Sequence, residues 1–109
     1  MDKEEILIKA GKEYFYSGED EFKKARFNSA VVLYFKALIS FADLFILQKT
    51  GESPSSHNDR FKITKLKFLE VYNLLDKDFP FYQSSYVQIL TKELAEVIKE
   101  DAKIMAEKA

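Results

Sequence analysis

Residues 29–49 read SAVVLYFKALISFADLFILQK. Wound as a helix of about 3.6 residues per turn, the stretch gathers Ser29, Lys36, Ser40 and Asp43 into one narrow polar stripe and fills nearly all the remaining circumference with apolar side chains. A helix of this kind needs cover on most sides, so several other helices must pack around it. Phe35, Phe41, Phe45 and Ile46 point to different sides of it, more than one partner helix covers. A second copy of the chain is the natural cover for the excess, and a homodimer with these four residues in its interface is expected.

The rest of the composition agrees with a helical bundle. Only three Gly and two Pro interrupt 109 residues, no β-branched run alternates with polar residues, and 47% of the chain is hydrophobic, with ten Phe and six Tyr. That is enough for one core and too short a chain for two, so the expectation is a single all-α domain over residues 1–109, an antiparallel bundle of four or up to five helices.

Several function classes fall away at once. A formal charge of −1 argues against an overall field that gathers nucleic acid or anionic membrane, although a local basic patch is compatible with it. With no Cys and one His, the chain has no disulfide, no zinc-thiolate site and no multi-histidine metal site, and no metal or cofactor is expected. Gly11, Gly18 and Gly51 are isolated, which excludes a phosphate-binding glycine loop. The N-terminal MDKEEILIKAGKE is acidic, with only a short apolar run, and reads as neither a signal nor a transit peptide. Lys36 and Asp43 break the most apolar stretch before it reaches the roughly 18 uncharged residues of a membrane span. A cytoplasmic protein without a membrane partner is the expectation.

Along the chain, Asp2 is placed to cap a first helix that runs to about Lys24, with a kink at Ser17-Gly18. Arg26-Phe27-Asn28 makes a tight connection, with Asn28 or Ser29 capping the central helix and an antiparallel hairpin as the result. The central helix stops at Thr50-Gly51, and Ser55 or Ser56 in the loop GESPSSH caps the next. A third helix is expected over about 57–75, a turn around Pro80, and a fourth helix from about Phe81 nearly to the C-terminus, its last charge-rich turns fraying.

Little in the chain announces chemistry. His57 is the side chain that titrates near neutrality. It is read in two ways, as a ligand-binding group clustered with Arg60 and Lys67 at a helix start suited to phosphate, with Lys62 and Lys65 as outlying charges, or as a histidine at the rim of the core. The carboxylates read as ordinary helix-surface charge, and Ser53, Ser55 and Ser56 as turn formers and caps.

Three segments, Ala25-Arg26-Phe27-Asn28-Ser29-Ala30, Tyr34-Phe35-Lys36-Ala37-Leu38 and Ser56-His57-Asn58-Asp59-Arg60-Phe61, in the order hairpin turn, apolar central helix, His at the next helix start, resemble the HEPN superfamily. The resemblance covers most of the chain and implies a dimerising four- or five-helix bundle. Many such proteins are metal-independent RNases, often toxins paired with a small nucleotidyltransferase, and others are binding modules. The RNase signature is an Arg followed four to six residues later by a His. Here Thr50, Gly51 and Glu52 stand where that Arg would precede His57, and Arg60 follows it. The resulting expectation is a non-catalytic, homodimeric binding module for a partner protein, nucleotide or RNA. The alternative is an RNase acting through His57 and Arg60, with a nucleotidyltransferase partner. A second alternative, a tetratricopeptide-like hairpin, rests on Gly11-Tyr14 and Ala30-Tyr34-Ala37, whose interval is about seven residues too long for that repeat.

Overall fold

The expected central helix forms as α2 (Phe27–Thr50), the axis of an all-α bundle in a computed structural model that describes all 109 residues. Around it stand α1 (Lys3–Lys23), α3 (His57–Lys67), α4 (Leu69–Ser84) and α5 (Lys92–Lys108). By length and composition alone α2 could cross a membrane, with a mean hydropathy of 2.0, but its most apolar window is 67% buried by the other helices. Ala30, Val31, Tyr34, Ala37, Leu38, Ala42 and Ile46 are sealed from solvent along it. That cover corrects the expected interface. Phe35, Phe41 and Ile46 are 1%, 7% and 0% exposed within one protomer, so the chain's own helices satisfy them, and only Phe45 of the four is half-exposed.

The first hairpin depends on two glycines. Asp2 caps α1 as expected, accepting from the Glu5 N–H at 2.8 Å, and the helix then runs unbroken through Ser17-Gly18. A Cβ at Gly18 would lie 2.8 Å from the Tyr34 ring, and one at Gly11 2.7 Å from the Phe41 ring, so the glycines mark where α1 and α2 approach most closely. Gly18→Ala should therefore destabilise the protein by about 1–3 kcal/mol, although Ala is intrinsically the better helix former by about 1 kcal/mol. Denaturant unfolding of the variant tests this, and an unchanged or raised midpoint would refute the close-approach role.

Asn28 does not cap α2. Its side chain crosses to the loop over residues 85–91, donating to the carbonyls of Ser85 at 3.0 Å and Gln88 at 2.6 Å and accepting from the Leu90 N–H at 2.8 Å. Gly51, with φ of 84°, closes α2, and the Ser56 hydroxyl caps α3 by accepting from the Asp59 N–H.

The second half departs from the expected boundaries. The helix expected over 57–75 breaks at Phe68, whose backbone (φ −136°, ψ 69°) leaves helical space. The break turns the Phe68 ring edge-on to Phe45 at 5.1 Å, while Val71 and Leu75 of α4 reach the core. Pro80 lies inside α4, not in a turn. Its neighbours Phe79 and Tyr82 pack on the buried Phe35 ring at 6.0 and 4.9 Å, which offsets the backbone hydrogen bond that proline removes. The last helix consequently starts at Lys92, where Thr91 caps it. It persists to Lys108 because Met105 is sealed in the core and the Lys108 ammonium sits 2.7 Å from Glu70.

Candidate functional site

The polar stripe of α2 meets the start of α3. An apolar helix that carries Asp43 on a buried face must supply that carboxylate with a partner, and Arg60 is the partner. Its Nε and Nη2 donate to the two Asp43 oxygens at 2.6 and 2.9 Å, a bidentate pair whose side chains are about a tenth exposed. The remaining Arg60 nitrogen, Nη1, lies 2.8 Å from Nδ1 of His57. Guanidinium can only donate, so Nδ1 must accept, and the neutral imidazole carries its proton on Nε2. Loss of water around the ring and then the positive charge of Arg60 lower the His57 pKa, with Asp43 pulling the other way. The ring also lies 5.6 Å from that of Phe79.

This chain of bonds forms one wall of a cleft of about 440 Å³ between α1, α2, α3 and α4. Lys36 and Ser40 continue the polar wall, and Tyr14, Phe35 and Tyr82 supply aromatic ones. The Ser40 hydroxyl is held on the Leu7 carbonyl at 2.9 Å. Lys36 is exposed and has no carboxylate within ion-pair distance; its ammonium stands 5.8 Å above the Tyr14 ring. With Arg60 neutralised by Asp43 and His57 neutral, Lys36 gives the cleft its net positive charge. No group of three or more His, Asp or Glu residues is arranged to hold a metal ion.

The structure thus brings together His57 and Arg60 from the proposed cluster and separates Lys67 from them. Lys67 sits at the other end of α3, beside Phe45, Phe68 and Leu69, and Lys62 and Lys65 are exposed on the same helix. Lys36, Ser40 and Asp43 were visible in the sequence as a stripe, without their convergence on the start of α3.

No protein-family model matches this chain, and no curated protein matches it either.

A second group of ionisable residues corrects the view that all carboxylates are surface charge. Asp78 on α4 is 0% exposed and Asp101 on α5 only 5%. Neither Asp78 oxygen receives a donor, while Asp101 Oδ2 lies 2.8 Å from Lys77 Nζ. Burial first, then the adjoining Asp101, push the Asp78 carboxyl up to about 8, so it is held as the neutral acid beside Asp101. Sealed in the helix interface, the pair is structural.

Proposed function

We propose that the chain is a non-catalytic, HEPN-like binding module whose cleft between α2 and α3 takes the phosphate and base of a nucleotide or of an RNA end. One observation carries this reading. Nε, Nη1 and Nη2 of the buried Arg60 are each engaged by Asp43 or His57, which leaves a neutral imidazole with its proton on Nε2, a carboxylate-free Lys36 and aromatic walls. Lys36 and the imidazole donor suit an anion, and the tyrosines suit a ring stacked against them. Catalytic work by Arg60 would require it to leave a buried carboxylate, which disfavours the RNase alternative. The family likeness brings a homodimer into the proposal. Among the apolar side chains free to join such an interface, Tyr86, Val87 and Ile89 are 72%, 81% and 92% exposed on the loop that Asn28 anchors.

Calorimetric titration with nucleoside monophosphates and a short single-stranded RNA tests the reading. Binding should weaken about tenfold or more in Lys36→Ala, the loss of one charge-assisted contact, with the RNA left intact in the absence of metal. Cleavage that disappears in His57→Ala would overturn the non-catalytic assignment, and affinity indifferent to Lys36 would remove the cleft from it.

A further inference from the structure

We propose that the elbow between α3 and α4 is a docking surface for an anionic lipid bilayer. Leu66 and Leu69 stand on either side of the break at Phe68, 74% and 60% exposed. Lys62, Lys65 and Leu66, spaced three and four residues apart, share one face of α3, and Leu69 opens α4 just beyond the break. Lys62, Lys65 and Lys67 are exposed, and no carboxylate lies within ion-pair distance of any of them. Lys49 reaches the same corner from the end of α2, its ammonium 5.5 Å over the Phe45 ring that packs on Phe68. Residues 60–69 contain no acid, and the following Glu70 is neutralised by Lys108 at 2.7 Å.

Four unpaired ammonium groups around two projecting leucines need a partner that offers anions and an apolar phase at the same place. A nucleic acid backbone supplies the first alone. The headgroup and acyl boundary of an anionic bilayer supplies both, with leucines entering the boundary and lysines remaining among the phosphates. The absence of a membrane partner was expected from the net charge of −1, but attraction to a charged surface decays within a Debye length and is governed by the patch that faces it. The break at Phe68 is what makes the wedge. At the elbow Leu66 lies in the last turn of α3 and Leu69 at the first position of α4, both exposed on either side of the bend.

The test is co-sedimentation of the full chain with vesicles of phosphatidylcholine alone and with phosphatidylglycerol added, at low and moderate salt. Binding should require the anionic lipid and fade with salt. Reversing two lysines in Lys62→Glu/Lys65→Glu should lower the partition coefficient at least 25-fold, at about fivefold per lysine. Leu66→Ser/Leu69→Ser should weaken it by at least tenfold; both leucines are exposed, so the fold stays intact and an unchanged far-ultraviolet spectrum verifies this. No sedimentation with anionic vesicles would overturn the proposal, as would binding indifferent to the leucine pair. Retention of labelled single-stranded RNA by the same lysines, with vesicles ignored, would equally replace it.

Discussion

Asp78→Asn should make the protein more stable at pH 8, by roughly 2–4 kcal/mol, and should remove much of its pH dependence between pH 4 and 8. The usual expectation for a buried polar substitution is the reverse. Asp78 has a folded-state pKa of about 8 against 3.8 for an ordinary aspartate, so across that window the unfolded chain releases a proton that the folded chain retains. Stability is therefore full below pH 3.8 and falls by up to about 1.4 kcal/mol per unit as pH rises toward 8. Asparagine has the same shape, carries no proton to lose, and presents an amide donor to the adjoining Asp101. The groups facing Asp78 are Asp101 from α5 and Lys77 from its own helix, 3.9 Å from Oδ1. Denaturant unfolding of both proteins at several pH values isolates the difference. His57, whose lowered pKa favours the folded state as pH rises through the range below 6.5, affects both proteins alike and cancels. A variant less stable than the parent at pH 8 would show that Asp78 folds as a carboxylate.

How much of this could be read in the sequence depends on whether the deciding interaction is local. Gly51 ends α2 in a left-handed conformation and Ser56 caps α3 from three residues away, and both effects follow from a few consecutive residues. The narrow polar stripe of residues 29–49 identified the central helix because its pattern extends over six turns. Pro80 misled because a strong local stop signal was outweighed by distant partners. Phe79 and Tyr82 have the Phe35 ring to stack on, and no neighbour in sequence reveals that. The break at Phe68 is the converse case. KLKFLEVY contains only helix-compatible residues, and the ring that Phe68 meets at the break belongs to Phe45, more than twenty positions earlier.

The candidate cleft follows the same division. His57 and Arg60 stand three residues apart at a helix start, so their proximity was legible. Their meeting with Lys36 and Asp43 required the start of α3 to come within side-chain reach of α2. An aspartate within an otherwise apolar helix was itself a signal that an arginine must be found, and Arg60 was within reach of that argument. The Asp78–Asp101 pair offered no such signal. Asp78 lay in what read as a turn and Asp101 in what read as a fraying end, and both readings placed them in water.

Arg60→Ala should cost about 3–5 kcal/mol, because it leaves the 8% exposed Asp43 as an uncompensated buried charge. The loss measures the stranded carboxylate rather than the worth of the pair. Asp43→Leu/Arg60→Met, which removes both charges while keeping apolar volume, should accordingly recover most of it. The two variants differ in what they do to the cleft. In each, His57 Nδ1 loses its donor and the guanidinium that disfavours the imidazolium. In Arg60→Ala, Asp43 is left with its charge and draws the His57 pKa up; in the double variant neither charge acts and only the loss of water still holds it down. Imidazole proton shifts followed through a pH titration should therefore rank His57 highest in Arg60→Ala, then the double variant, then the parent. The ordering separates a pair that merely holds α2 to α3 from one that also keeps the histidine neutral. A cost below about 1 kcal/mol for Arg60→Ala would mean that water screens Asp43, and an unmoved His57 titration would mean that Arg60 does not set the state of the ring. If both effects appear, stability and the proton state of the cleft depend on the same guanidinium, so ligand binding in any Arg60 variant must be compared at a pH where His57 is neutral.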